Sequence, residues 1–419
     1  MTTQPALARR LGLSDAVFIG LGSMIGAGVF AAFTPAAQAA GNGLLIGLLV
    51  AAVVAFCNAT SSAQLAAVYP ASGGTYVYGR ERLGPWWGFL AGWSFVIGKI
   101  ASCAAMAMTF AAYAAPPGWE RPVAVAAVVG LAAVNYFGIT RTALLTRIIV
   151  VVVLIALAIA VAAGFGTGLP ARGWEPSGLI AHGWYGILQS AGLLFFAFAG
   201  YARIATMGEE VRTPAKTIPR AITTALAIVV VLYGIVAITI LGTLGANGVA
   251  ASAAPLADVV AASGWGWATP VVRVGAAAAS LGALLGLIAG IGRTCLAMAR
   301  EGDLPRWLAA VHPRFAVPHR AEVAIAIVVT VLVLTVDLRG AIGFSSFGVL
   351  LYYFVANIAA YGQPREQRRY PKVLQVLGAV ACVVLVVTLP PVGIVVGVAV
   401  IAIGIGYRII AHRLTRAQA

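Results

Sequence analysis

The chain has 419 residues, of which 61% are hydrophobic and only 9% charged, with a mean hydropathy of +0.98. Soluble domains carry about 25% charged residues, so the composition excludes a soluble protein and reads as an all-α polytopic membrane protein. The formal net charge of +15 would suit a nucleic-acid partner, but the placement of the basic residues excludes one.

Apolar runs of about 20 residues, the length a helix needs to cross a bilayer, predict twelve spans. They cover residues 14–36, 43–69, 85–115, 121–138, 142–165, 184–207, 219–244, 270–299, 321–337, 340–362, 373–389 and 391–410. Residues 14–34 of the first span read SDAVFIGLGSMIGAGVFAAFT. This segment lacks a small-residue cleavage pattern and is too long for a signal peptide. Its middle carries Gly22, Gly26 and Gly28 around Ser23, Met24, Ile25 and Ala27. Each glycine costs a helix about 1 kcal/mol relative to alanine. Non-helical backbone at membrane depth is tolerated only where it is buried in protein or lines a cavity. Freed amides and carbonyls there can hold a substrate, which is the mark of a secondary transporter.

The loop after the second span reads YPASGGTY over residues 69–76. The third span carries Lys99 within WSFVIGKIASC, residues 93–103. Lys99 lies about 14 residues into the span, roughly 20 Å by helical rise. That is too deep for its ammonium to reach the interface, and a lysine at bilayer depth costs about 2.5–3.5 kcal/mol on insertion scales and marks a functional candidate. The sixth span holds a second weak point, where Gly200 follows Phe195, Phe196 and Phe198 and precedes Tyr201, Ala202 and Arg203. Paired interruptions in corresponding spans of two halves point to a site at the membrane midplane. Residues 300–320 predict a short surface helix. Cys57, Cys103, Cys295 and Cys382 lie in apolar runs without metal-ligand spacing and are expected to be buried small hydrophobes. The four histidines carry no pattern for metal or nucleophilic work. No cofactor is implied, and no nucleophile–base pair occurs at membrane depth, so the chain is not read as an enzyme.

With both termini placed in the cytoplasm, 22 of the 27 basic residues flank the cytoplasmic side. Only Arg121, Arg172, Arg273 and Arg339 fall outside, and Lys99 lies within a span. Lysine and arginine accumulate on the cytoplasmic side of membrane proteins, so the basic pI reflects topology in a cytoplasmic (plasma) membrane. No linker or low-complexity stretch divides the chain, which reads as a single unit over residues 1–419.

Four stretches in order resemble one family. The segment GSMIGAGVF at residues 22–30 is similar to the GxMIGxGIF element of the amino acid–polyamine–organocation (APC) permeases. Residues 195–220, FFAFAGYARIATMGEEVRTPAKTIPR, resemble the family's sixth span and following loop. Residues 293–305, RTCLAMAREGDLP, resemble its RxxxAMARDGxxP stretch, and residues 69–76 its YPxxGGxY loop. The resemblance implies the five-plus-five inverted-repeat fold (the LeuT fold) plus two C-terminal helices. The first repeat would cover residues 14–165, the second 184–362, and the last two spans 373–410. It implies amino-acid transport by alternating access.

Carried onto this chain, the substrate carboxylate would sit at Ser23, Met24, Ile25, Gly26, Ala27 and Gly28, chiefly on the amides of residues 25–28. The physics agrees, since a helix N-terminus favours an anion. The substrate ammonium would use carbonyls near Ala199 and Gly200 and in the first half of span one. Phe196, Phe198, Tyr201 and Ala202 complete the expected pocket. Phe196 is the gate candidate in an aromatic lid over substrate, and Glu209 and Glu210 are expected to pair with cytoplasmic arginines such as Arg293 or Arg300 and close the inner gate. Ser280 in span eight is expected to bond its own helix backbone.

The chain departs from the family twice. Relatives that work with protons or without sodium often carry a lysine in span five, where this chain has IIVVVV at residues 148–153. Lys99, by contrast, matches the Asn of a WIGNIA stretch that approaches substrate in related arginine exchangers, so it is expected to face the pocket as the coupling charge. Second, Ala202 stands where cationic-substrate relatives often carry an acid. A pocket with a lysine and no carboxylate disfavours arginine, lysine and polyamines. The expected substrate is therefore a neutral amino acid, moved with protons or by exchange, by a monomer or homodimer. The alternative is a cationic amino-acid or polyamine exchanger. A channel would need polar residues along several spans, and a nutrient sensor a signalling domain; the sequence carries neither.

Overall fold

In the computed structural model, which describes residues 11–69, 73–138, 143–166, 176–208 and 210–418, the chain is helical almost throughout. The first predicted span is divided into α1 (Leu13–Met24), α2 (Ala27–Ala31) and α3 (Phe33–Ala40), followed by α4 (Leu44–Val68). A short helix, α5 (Thr75–Leu83), precedes α6 (Pro85–Ala114), α7 (Glu120–Tyr136) and α8 (Ala143–Gly166). The sixth span consists of α9 (Gly183–Phe198), a 3-10 turn at Ala199–Tyr201 and α10 (Ala202–Ala205). Then come α11 (Pro214–Ala251), α12 (Pro255–Ala262), α13 (Thr269–Arg300), α14 (His319–Thr335), α15 (Leu338–Tyr361), α16 (Lys372–Thr388) and α17 (Pro391–Gln418). Glu209, Pro70, Ala71, Ser72, Arg9, Arg10, Arg141 and Arg172 lie outside the described residues.

Each predicted interval is thus occupied by helix. Among the described residues nine helical stretches are long and apolar enough to cross a membrane. The helices over the fourth, ninth and eleventh intervals, α7, α14 and α16, are 17 residues each, about 25 Å by helical rise. The predicted end at residue 244 coincides with a kink at Gly245 (φ 69°), beyond which α11 continues to Ala251. The surface helix expected within residues 300–320 is only a 3-10 turn, Arg306–Ala309. Pro305 precedes that turn and Pro313 follows it, and proline breaks a helix interior by removing a donor. The pair Pro390 and Pro391 ends α16 and opens α17, since proline fits the first turn of a helix but not its interior.

The helices assemble in two groups. α1, α3, α4, α9 and α11 pack on one another, and α6, α7, α13 and α14 form the second group, with α15 against α6. α8 touches α1, α11 and α13. The backbones of α6 and α15 meet at Gly98 and Gly348, where a Cβ on Gly348 would stand 2.7 Å from the Gly98 Cα. Small residues permit such approach between helices that lipid does not drive together. Lys99 is therefore carried on a helix whose register is fixed by its neighbour at the adjacent residue.

Several buried polar groups are paired across helices. Asn357 of α15 donates to the Asn58 side chain of α4 at 2.6 Å and accepts from the Ser61 hydroxyl at 2.6 Å. At the start of α6, Asp303 accepts from the Tyr76 hydroxyl at 2.9 Å and pairs with Arg408 at 3.1 Å and Arg80 at 3.4 Å. Arg408 is 2% exposed, donates to the Pro85 carbonyl at 2.7 Å, and lies over the rings of Trp86 and Phe89. This cluster fastens α17 to α5, α6 and the turn after α13. Removing one member of a buried pair leaves the other charge uncompensated, at a cost of about 3–5 kcal/mol. Arg408→Met is therefore expected to lower the melting temperature in detergent by several degrees, whereas substitution of the exposed Arg365 leaves it unchanged.

Candidate functional site

The interruption in the first span is narrower than the glycine pattern predicts. Gly22 and Ser23 stay helical, and α1 closes with the Ile25 amide donating to the Leu21 carbonyl at 2.7 Å. Gly26 leaves the helical region (φ −43°, ψ −129°), and α2 begins at Ala27. Ala32 keeps right-handed helical angles, so α2 runs on into α3. The amides of Gly26, Ala27 and Gly28 thus form the start of the second half-helix, as the carboxylate reading requires. The Ser23 hydroxyl turns back to the Ile19 carbonyl at 2.8 Å, which commits it to its own helix.

In the sixth span the weak point does not unwind. The chain tightens into the 3-10 turn at Ala199–Tyr201 and resumes as α10. This turn lies directly against the first break. A Cβ on Gly200 would stand 2.3 Å from the Ser23 carbonyl oxygen and 2.6 Å from the Met24 nitrogen, and one on Gly28 would stand 2.6 Å from the Ala197 Cα. Real Cβ contacts are never this short. Two backbones in contact at both points require glycine at both.

Where two helices end, the last carbonyls lose their intrahelical partners, and inside a membrane water does not replace them. Here side chains do. The Tyr233 hydroxyl of α11 lies between the Met24 carbonyl (2.6 Å) and the Ala197 carbonyl (3.1 Å), joining the two breaks. The Tyr113 hydroxyl of α6 donates to the Phe30 carbonyl at 3.3 Å. The Ala199 carbonyl receives Lys99 Nζ at 3.4 Å and the Tyr353 hydroxyl at 3.5 Å. Both contacts are long for hydrogen bonds, whose usual range is about 2.7–3.2 Å. Lys99 thus reaches the sixth-span turn.

The aromatic run divides by burial. Phe195 and Phe198 are wholly enclosed, Phe195 against Tyr353 (5.8 Å between centroids) and Phe198 against Tyr233 (5.1 Å). Phe196 keeps 7% exposure. Tyr201 stacks near Tyr353 at 5.0 Å, and Ala202 is buried beside it. Phe198 and Tyr201 are thus enclosed beside the breaks, and Phe196 keeps slightly more exposure than its neighbours. In span eight, Ala283 and Ala279 lie against Gly26. The Ser280 hydroxyl, expected to bond its own helix, has no partner among the described residues.

On the side where α1 begins, Leu11 and Val211 form a parallel bridge. The Leu11 amide donates to Glu210 at 3.1 Å and the Arg212 amide to Leu11 at 2.9 Å. Glu210 pairs with Arg203 at 3.8 Å. Arg293 is exposed, and its expected partner Glu209 lies outside the described residues. Asp15 at the start of α1 pairs with Arg147 of α8.

Tyr233, Tyr113 and Tyr353 are the members that sequence reasoning missed. A tyrosine buried within an apolar span must find an acceptor, and Tyr233 at the centre of the seventh span was the legible sign; which acceptor it finds depends on the packing of three helices.

A family model described as amino acid permease matches residues 11–410. The chain is 57% identical over 412 residues to an uncharacterized transporter of Mycobacterium tuberculosis, covering 98% of this chain and 93% of that one. It is 26% identical over 398 residues to a branched-chain amino acid permease of Bacillus subtilis (90% of this chain, 85% of the relative). It is 28% identical over 382 residues to the chloroplastic cationic amino acid transporter 7 of Arabidopsis thaliana (85% and 65%). The fold matches the crystal structure of MhsT in complex with L-phenylalanine with a TM-score of 0.65 at 13% identity, over 92% of this chain and 99% of that chain. This is the five-plus-five inverted-repeat fold.

The two-point backbone contact yields a test. Gly200→Ala and Gly28→Ala are expected to force the broken helices apart, reducing uptake in proteoliposomes more than tenfold and stability by about 1–3 kcal/mol. Gly286→Ala, whose Cβ would meet nothing within 4 Å, is expected to transport normally.

Proposed function

The chain belongs to the amino acid permease family, and from that premise we propose that this amino-acid transporter moves neutral amino acids by alternating access, with protons or by exchange. Residues 1–419 act as one transport unit, with repeats over 14–165 and 184–362 and a trailing helix pair over 373–410. It resides in the cytoplasmic membrane with both termini inside, an orientation supported by the 22 of 27 basic residues on that side. It works as a monomer or homodimer.

In this reading the substrate's carboxylate meets the amides at the start of α2, favoured by the positive end of that half-helix. Its ammonium faces the carbonyls at the sixth-span turn, and its side chain extends toward Phe196 and Ala202. Phe196, which keeps slightly more exposure than its neighbours, closes the pocket as part of an aromatic lid. The Glu209 segment with Arg293 closes it from the cytoplasm, supported by the bridge that binds Leu11 to Val211. Lys99 is the ionisable coupling group.

The observation that carries the choice of substrate is that the elements around Lys99 carry no acid at its depth. The Lys99 ammonium lies on the Ala199 carbonyl, and none of α1, α2, α6, α9 or α13 carries a carboxylate at that depth. A second cation in a substrate side chain would find no acid on these elements to balance it, and an unpaired charge is costly in low dielectric. The named branched-chain relative agrees with this reading. The cationic alternative draws on the likeness to the plant cationic transporters, which does not supply an acid at Ala202.

A thermal-shift screen of the twenty common amino acids on the purified protein tests the assignment, because a ligand stabilises the state it binds according to its concentration over its affinity. Neutral amino acids are expected to raise the melting temperature, and arginine, lysine and spermidine to leave it unchanged. A larger shift with arginine than with alanine or leucine reverses the assignment.

A further inference from the structure

Of the carbonyls at the two breaks that a substrate ammonium would use, three already face side-chain donors. The Tyr233 hydroxyl lies between those of Met24 and Ala197 and has one proton to share between them, and Lys99 with Tyr353 faces that of Ala199. Tyr233 is neutral. Lys99 is different, because it presents the same chemical group as the substrate: a primary ammonium with three donors and one positive charge. It is 7% exposed and holds the carbonyl at 3.4 Å, a long contact that leaves its other donors poorly used.

Among the described residues no carboxylate pairs with it. The titratable groups around it are the Cys103 thiol, one turn further along α6, the Tyr353 hydroxyl from α15, and Tyr201, which stacks on Tyr353 from the sixth-span turn. α2, which also packs on α6, carries no titratable side chain. The charges on the other neighbours of α6 lie toward its ends: Arg408 on the Pro85 carbonyl, and Arg273 of α13 on the Tyr113 carbonyl. Glu322 of α14 lies against Gly292.

We propose that Lys99 is a built-in occupant of the substrate's ammonium seat, so that a protonated Lys99 and a bound amino acid exclude one another at the Ala199 carbonyl. The proposal rests on the placement of the substrate ammonium given above and assigns its coupling. As the amino acid's ammonium reaches the carbonyl, Lys99 Nζ releases one proton to water and stays as a neutral amine. When the amino acid leaves, Nζ takes a proton back and reoccupies the carbonyl. No other bond is made or broken. Proton and amino acid then alternate on one site, which couples them in exchange rather than in co-transport.

The test is calorimetric titration of the purified full-length protein with each of the twenty common L-amino acids between pH 6 and 8.5, in buffers of different ionisation enthalpy. Where only the deprotonated fraction is competent to bind, apparent affinity scales with that fraction. The wild type is expected to gain about tenfold in affinity per pH unit and to release close to one proton per amino acid bound. Lys99→Met and Lys99→Gln are expected to bind tightly, without pH dependence and without proton release. Lys99→Arg, whose guanidinium keeps its charge at every pH, is expected to bind weakly throughout. Size-exclusion profiles and melting temperatures confirm that each variant is folded.

The proposal is overturned if wild-type binding releases no proton. It is equally overturned if Lys99→Met loses binding at every pH, since the lysine would then hold the substrate rather than displace it. In both cases an amino acid still binds the wild type, and the transporter reading stands. If no amino acid binds either the wild type or Lys99→Met, the placement of the ammonium seat fails and the competition fails with it.

Discussion

Two interrupted helices lie back to back with their main chains in contact, and much of the molecule is arranged around that contact. Glycine at positions 28 and 200 permits it, because any Cβ there would overlap the neighbouring backbone. The same interruption that allows close approach also strips carbonyls of their helical partners. In a bilayer those carbonyls cannot turn to water, so other helices must supply donors. Tyr233 from α11 and Lys99 and Tyr353 from α6 and α15 meet this requirement. The broken pair is thereby tied to both groups of helices by bonds that end on its own backbone. A ligand that exchanges one of those bonds for its own changes how the two groups are held together.

The four motifs that resemble the family meet in space in two pairs. The first-span element and the sixth-span element join at Gly28 with Ala197 and at Gly200 with Ser23. The loop motif at residues 69–76 and the stretch at residues 293–305 join through the Tyr76 hydroxyl on Asp303. The second junction is fixed by a buried ion pair with Arg408 and by Tyr352, whose hydroxyl accepts from the Thr75 amide at 3.0 Å. One junction is built of backbone and is loosely satisfied at Ala199. The other is built of charge and is tightly satisfied. This division fits a protein that must rearrange at its centre while keeping its frame.

Charge placement follows the same logic. Among the described residues Asp15, Glu301 and Asp303 lie at helix ends, each paired to arginine. Among the described residues Lys99 stands at depth without an acid beside it. An isolated ammonium there is costly, and it is retained at the position where a transported ammonium is expected. The plainest physical account is that it keeps that position satisfied when no substrate is present.

The membrane class, the helical intervals and both weak points were determined by the sequence itself, because spans are set by bilayer thickness and breaks by the cost of glycine in a helix. Even the kink at Gly245 and the boundary at Pro390 and Pro391 are local backbone chemistry. The depth of Lys99 was likewise a matter of counting along one helix. What the sequence could not decide was which groups meet. The sixth-span weak point became a tight 3-10 turn rather than an unwound segment, because it lies against the first break and leaves no space to open. Ser23 turned inward to its own helix, Phe198 came to lie against Tyr233, and the Tyr233 hydroxyl came between two carbonyls more than thirty residues away from it in the chain. Those outcomes depend on the rotation and approach of helices distant in sequence, which no local pattern encodes and only the tertiary packing sets.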